Sequence, residues 1–577
     1  MKKLLLFTIS ILFTVNCFSQ SPAYLWAKGV GGTGSDEARC VTTDANGNII
    51  VTGRFYSSSI AFGTTTLTNA GFDDMFIVKY DPSGNVLWAK NQDAGGTGGG
   101  NGLSVVADAG GNVILTGYFY DSTITFGTTT LTNLGSADII VVKYDPNGNV
   151  LWAKQQDAGG NDEDVTNTIT ADADGNIIIT GGFLSNSITF GTTTLTNGDS
   201  ISRTRDIFIV KYDPNGNVLW AKQQDAGGSN ADNAWGVAAD ASGNLFVTGH
   251  FFSPTMTFGT TTLTNADSSN TNNDMFIVKY DSTGNVLWAK QQDAGGSNSE
   301  AGRSVSVDAS GNLIVTGSFN SPTITFGATT LTNAGSSDIF IVKYDSNGNV
   351  LWAKQQDGGG TGADAALSIA ADANENVLVT GSFVSPTITF GTTTLTNASS
   401  SNIYSDIFIV KYDPNGNVLW AKKQTSGGSL NDVANSVATD AGGNIIVAGS
   451  YSARPAISRP RPSPAITITF GTTVLGASTG ISGVNQNIFI AKLDGTTTGI
   501  ENNTMNNEVS VYPNPTTGLL LLSNNYNITL SDLTGKIITK EQNANAIDIS
   551  NQPAGMYFLL LTDNKGKPVQ RSKVTKE

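Results

Sequence analysis

The string Leu-Trp-Ala-Lys begins at Leu25, Leu87, Leu151, Leu219, Leu287, Leu351 and Leu419, a spacing that averages about 66 residues. Three further strings keep the same count. An Asp-x-x-x-Asn string leading to an apolar step and Gly starts at Asp44, Asp108, Asp172, Asp240, Asp308, Asp372 and Asp440. Phe-Gly-(Thr/Ala)-Thr starts at Phe62, Phe126, Phe190, Phe258, Phe326, Phe390 and Phe470, and Lys-(Tyr/Leu)-Asp at Lys79, Lys143, Lys211, Lys279, Lys343, Lys411 and Lys492. A unit that recurs this often must pack against copies of itself, because a single unit cannot bury its own apolar face. This outweighs the several unrelated domains that 577 residues would otherwise suggest.

Each unit reads as four strands. In the first, A covers Cys40 to Thr43, B is the β-branched run Ile49 to Thr52, C is Met75 to Tyr80, and D is Val86 to Trp88. Asp44-Ala45-Asn46-Gly47 and Asp81-Pro82-Ser83-Gly84 place Asp first and Gly fourth, the residues of a type I turn, so A turns tightly into B and C into D. Seven four-stranded antiparallel sheets in tandem predict an all-β fold, a seven-bladed β-propeller, over a β-turn solenoid, which would want shorter and more uniform periods. The length beyond a ~40–45-residue blade falls between B and C, where Ile60-Ala61-Phe62-Gly63 and Thr64 to Asn69 predict an added hairpin. The chain opens on a D strand, and its last unit supplies only A, B and C. The ring therefore closes if Leu25 to Lys28 pairs with Ile488 to Leu493, removing two exposed edges.

Composition limits the chemistry. The net charge of −15 leaves no broad basic surface for nucleic acid. One histidine, His250, and two cysteines, Cys17 and Cys40, exclude a Cys/His zinc cluster and disfavour a histidine-dependent triad. No cofactor or metal is expected. The turn aspartates, including Asp172-Ala173-Asp174-Gly175-Asn176, read as turn residues before calcium ligands. Lys2 and Lys3, an apolar run from Leu4 to Val15 and a small residue at the end make residues 1–19 a secretory signal peptide, cleaved between Ser19 and Gln20. Cleavage leaves Cys40 alone, so no internal disulfide is expected.

The unit Val-Ala-x-Asp-x-x-Gly-Asn-x-x-x-Thr-Gly followed by Lys-Tyr-Asp and Gly-Asn-Val-Leu-Trp, as in Val237 to Gly249 and Ile277 to Trp288, resembles the bacterial SBBP-type β-propeller repeat. The resemblance covers about residues 21–494 and implies a scaffold without a common chemistry. The expected boundaries are therefore 20–494 for the propeller, 495–507 for a polar linker and 508–577 for a small C-terminal β-sandwich. Tyr512-Pro513-Asn514-Pro515-Thr516 and Pro553-Ala554-Gly555-Met556-Tyr557 in that last part resemble the type A C-terminal sorting domain of the Bacteroidetes type IX secretion system. That likeness implies engagement with the type IX machinery, passage through the periplasm, and release or display at the outer cell surface.

For function, the expectation is a secreted or cell-surface binding scaffold, monomeric and without catalysis, for a glycan or surface-protein ligand. The alternatives are a polysaccharide-acting enzyme using carboxylates and a structural matrix protein. The LWAK tryptophans are expected between blades. The site is expected on the D-to-A side, where five residues before each turn aspartate the copies diverge into Arg39, Leu103, Asn167, Trp235, Arg303, Leu367 and Asn435. Arg39, Trp235 and Arg303 are the ligand-binding candidates, with Trp235 either a stacking platform or the filler of a gap between blades. His250 is expected to be neutral to function. The Arg454 to Pro464 insertion reads as an extended basic loop that could meet acidic glycans.

Overall fold

The computed structural model describes residues 22–495 and 511–577, except 70, 93–97, 134, 157–161, 199–203, 225–230, 268–271, 293–297, 357–361, 399–402, 425–430, 455–464, 477–484, 533–535 and 564–567. The signal peptide with Ser19 and Gln20, nearly all of the linker, Pro455 to Pro464 and the Thr534-Gly535 turn lie outside the described residues, as do the centres of most D-to-A connections. Contacts divide the chain into Met1–Thr497 and Thr498–Glu577.

All regular structure among the described residues is β. In the first unit the strands form seven four-stranded antiparallel sheets, the first being Asp36–Thr43, Ile49–Phe55, Asp74–Tyr80 and Val86–Gln92 in the order A, B, C, D. Strands B and C are buried on both faces, which explains why they read as continuous apolar runs rather than as alternation. Strand A of each sheet touches strand A of both neighbours around a complete circle, so the sheets stand as blades about a central channel. A two-stranded hairpin such as Ser59–Phe62 with Thr65–Thr68 sits between B and C in each blade.

The last sheet joins the two ends of the unit. It contains Val433–Thr439, Ile445–Ala453, Asn485–Leu493 and, as its outer strand, Tyr24–Val30. Trp26 pairs with Lys492, Lys28 with Ile490 and Gly29 with Phe489, so the first strand completes the last blade as the strand count requires.

Neighbouring blades are tied by a repeated knot on the side of the tight turns. The Lys79 ammonium lies 2.9 Å from Asp44 Oδ2, with both side chains buried, and the same pair recurs as Lys143–Asp108, Lys211–Asp172, Lys343–Asp308, Lys411–Asp372 and Lys492–Asp440 at 2.7 to 2.9 Å. Lys279–Asp240 is longer at 3.7 Å. Lys79, Lys143, Lys211, Lys279 and Lys492 also reach the next blade's C-to-D turn: Lys143 Nζ donates to the Pro214 carbonyl at 3.1 Å, and the Trp152 indole donates to that same oxygen at 3.3 Å. The LWAK tryptophans thus pack between blades, and the turn aspartates are engaged in the knot. Asp172 Oδ1 accepts the Asp174 and Asn176 amides, while Oδ2 accepts Asn176 Nδ2 and the Lys211 ammonium. At the seam the described residues supply no such turn, and the buried Trp420 indole N–H has no partner among them.

The second unit is one five-stranded sheet rather than two separate layers: Val511–Tyr512, Leu519–Ser531, Ile537–Asp548, Gly555–Thr562 and Pro568–Lys576. The sandwich-like core forms because Leu519–Ser531 breaks register with Ile537–Asp548 between Leu521 and Tyr526, so that Leu520, Leu530, Ile547 and Leu559 share one interior. Asn514 and Thr516 of the Tyr-Pro-Asn-Pro-Thr string pin the last strand: Asn514 Oδ1 accepts the Thr575 amide at 2.9 Å, and the Thr516 amide donates to the Thr575 carbonyl at 2.9 Å.

Candidate functional site

Every strand A carries a β-bulge, and the bulged residue is the divergent position. Ala38 pairs with Gly53 and Cys40 with Thr52, leaving Arg39 extra; the same register break isolates Leu103, Asn167, Trp235, Arg303, Leu367 and Asn435. A bulge re-aims one side chain without disturbing the rest of the ladder. Here it frees seven half-buried positions at the start of the innermost strands from the constraints of the repeat.

In four blades a serine directly after the bulge closes the inner edge. Ser436 Oγ accepts the Val41 amide at 3.0 Å, and Ser104, Ser304 and Ser368 accept those of Ile169, Ile369 and Val437. These bonds satisfy the free strand edge that a ring of inner strands would otherwise expose to the channel. Cys40 occupies the same position in the first blade. Its thiol contacts the Val105 carbonyl at 3.7 Å, and burial pushes its pKa up, so it belongs to the wall. Asn167 and Asn435 latch across blades instead, each amide donating at 2.8 Å to the carbonyl preceding the next bulge, Ala234 and Ala38.

The candidates fall into two groups. Arg39 lies 2.6 Å from Glu37, which also meets Arg54 at 3.5 Å, and Arg54 reaches Asp73 at 3.7 Å and stacks on Tyr56 with 5.1 Å to the ring centroid. That cation is matched within its own blade. Trp235 and Arg303, from the fourth and fifth blades, do come together: the Arg303 guanidinium stands 5.0 Å over the Trp235 ring. The Trp235 indole N–H donates to His250 Nδ1 at 3.0 Å, and His250 packs edge-on against Phe252 with 5.5 Å between centroids. Burial and, secondarily, the Arg303 charge hold the His250 pKa down to about 3, so the ring is neutral and keeps its proton on Nε2. Trp235 is therefore platform and filler at once, fixed by His250 beneath and covered by Arg303. Arg303 has no acidic partner and no hydrogen-bond acceptor among the described residues, and burial lowers its pKa.

The structure brings His250 to Trp235, a contact that spacing alone does not indicate. The readable signal is correlation between two divergent positions in one blade: Trp235 with His250, as Arg39 with Arg54. Arg454 is the described end of the basic insertion, and its amide and carbonyl bridge to Ile466.

Residues 510–575 match the secretion system C-terminal sorting domain family. The WD repeat-containing protein L264 of Acanthamoeba polyphaga mimivirus is 28% identical over 521 residues, covering 76% of this chain. The chain spans 37% of that relative's length. Among solved structures, a fungal alcohol oxidase of the AA5 family in complex with copper is matched over 96% of this chain and 99% of its own, at 12% identity and a TM-score of 0.36. Regucalcin of Agrobacterium tumefaciens, a calcium-binding protein, is matched over 63% of this chain and 85% of its own, at 11% identity and a TM-score of 0.28. Scores this low carry no statement about chemistry. The sorting domain marks the protein for type IX export to the cell surface or the surrounding medium.

Proposed function

We propose that the exported propeller is a monomeric binding scaffold without chemistry of its own, and that it holds an anionic glycan at the channel mouth between the fourth and fifth blades. One observation supports this reading: Arg303 is a half-buried guanidinium for which the described residues supply no anion, set on an aromatic platform that its neighbours hold in place. A carboxylate or sulfate would pair with the guanidinium in the fork geometry that arginine favours, while the exposed edge of Trp235 offers apolar area to a sugar ring. The strong anionic balance of the rest of the chain makes this cation a local exception and disfavours nonspecific capture of acidic polymers elsewhere.

The test is a panel of neutral, uronate-bearing and sulfated oligosaccharides, assayed for binding and for new reducing ends. Acidic members should bind, more weakly as salt rises, with no reducing ends released. Arg303→Gln with Trp235→Ala should lower that affinity at least ~10-fold while the melting temperature moves by only a few degrees. Release of reducing ends would favour the enzyme reading, and binding insensitive to the double variant would move the site elsewhere.

A further inference from the structure

The second blade opens on a segment unlike its counterparts. Gly99 and Gly100, preceded by Gly98, stand where the first, third and fifth blades carry Ser35-Asp36, Glu163-Asp164 and Ser299-Glu300, and no other copy has glycine at either of the last two positions. No side chain rises from this stretch. Glycine is required there, because a Cβ on Gly99 would run into the Asp73 carboxylate and one on Gly98 into that of Asp121. Both edges of the bare backbone are paired. On one side the Phe72 amide donates to the Gly98 carbonyl at 3.0 Å and the Gly100 amide to the Asp73 carbonyl at 3.1 Å; on the other the Tyr120 amide donates to the Gly99 carbonyl at 2.8 Å.

Phe72 and Tyr120 therefore flank a glycine saddle, their Cα atoms two strand spacings, about 10 Å, apart. Phe72 is 69% exposed and Tyr120 43%. Each ring is braced edge-on by a second tyrosine: Tyr56 meets Phe72, and Tyr118 meets Tyr120, both with 5.4 Å between centroids. The repeat does not call for Phe72, since Ser136 and Ser336 hold its position in the second and fifth blades. The rim is charge-balanced. Arg54 faces Glu37 and Asp73 at one end, and at the other the Tyr120 hydroxyl donates to Glu163 at 3.0 Å, with Arg205 3.6 Å from the same carboxylate.

We propose that this saddle between the first and second blades binds a neutral glycan, with successive pyranose rings covering Phe72 and Tyr120 and their hydroxyls turned to the Glu163–Arg205 pair. The C–H face of a pyranose removes exposed aromatic area from water, while the ion pair beside Tyr120 offers both donors and acceptors to hydroxyl groups. The separation of the two rings favours a chain of sugars over a single one. Each rim cation already has its anion, so a uronate or sulfate gains nothing here. The saddle is thus separate from the Arg303 site, and neither depends on the other.

The full chain titrated with cellohexaose, mannohexaose and xylohexaose, followed by ligand-observed NMR, tests this, with glucose and decaproline as comparisons. At least one neutral hexamer should bind, more tightly than glucose and with an affinity that does not fall as salt rises. Phe72→Ser with Tyr120→Ala should weaken that binding at least ~10-fold, with the melting temperature nearly unchanged because both rings are exposed. Arg303→Gln with Trp235→Ala should leave it as it was. Should the first variant fail to fold, Phe72→Ser alone, which copies Ser136 of the next blade, should weaken binding about three-fold. No hexamer bound at millimolar concentration, an affinity that falls with salt, tighter binding of decaproline, or full binding by the Phe72 and Tyr120 variant would each overturn the proposal.

Discussion

Asp164, Asp232 and Asp364 open the innermost strands of their blades with a buried carboxyl group. Asp232 Oδ1 accepts the Phe252 and Ser253 amides and Oδ2 the Ser253 hydroxyl, yet burial, with Asp206 nearby, pushes its pKa up to about 7. Burial likewise raises Asp164 and Asp364 to about 6. These values exceed the ~3.9 of an unfolded aspartate, so the folded chain holds more protons, and the associated stabilisation is complete below pH ~4 and lost as pH rises through 6 to 7. Urea midpoints should fall between pH 5 and pH 8, and Asp232→Asn should flatten that slope. The turn aspartates act oppositely. Burial alone would raise Asp44, but Asn48 and the Lys79 ammonium outweigh it and lower its pKa, a stabilisation present above pH ~4 and lost in stronger acid. A different residue effect is confined to the sixth blade, where Glu375 holds φ 62° at the turn position that glycine fills in the other blades. Glu375→Gly should raise unfolding free energy by about 1 kcal/mol, despite losing an exposed bond from Ser310.

The blades owe their legibility to strands B and C, whose unbroken apolar runs and Asp/Gly turns recur with little change. The innermost strand was less readable. Period-two alternation across Ala38, Arg39 and Cys40 assumes one residue per partner, and the bulge at Arg39 breaks that phase, so face assignments made on one side of it fail on the other. Divergence among copies located the seven positions, but only the register shows that they share one backbone device. The outer strand repeats the device differently: Lys79 pairs with Trp88 and Tyr80 with Val86, leaving Leu87 bulged and 52% exposed, which twists an edge that would otherwise invite further pairing. The contact between Trp235 and Arg303 crosses two blades and could not be read from spacing. Between blades, Lys211→Met should cost about 3 kcal/mol in urea unfolding because it leaves the Asp172 carboxylate buried beside an apolar side chain. A loss below ~1 kcal/mol would show that Asn176 and the turn amides suffice.

Deleting residues 20–28 would expose the strand edge from Ile490 to Leu493. The shortened protein should melt at lower temperature and form dimers or larger species by size-exclusion chromatography. Retention of a monomer with the original melting temperature would show that closure contributes little. Deleting residues 508–577 should leave the propeller in the periplasm, and its appearance in the medium at normal levels would argue against export through that domain. The closing strand also sets an order of events. Asn485 bonds to the Thr33 carbonyl across 452 residues of chain, so the contacts that seal the ring join the earliest and the latest parts of the propeller to emerge during synthesis. Contacts of such separation form slowly. The first strand must therefore stay unpaired while six blades assemble behind it, and it becomes a substrate for any chaperone that recognises Leu25 and Trp26 in extended form. The propeller's lifetime as an open arc, rather than the stability of any blade, is where its folding is most vulnerable.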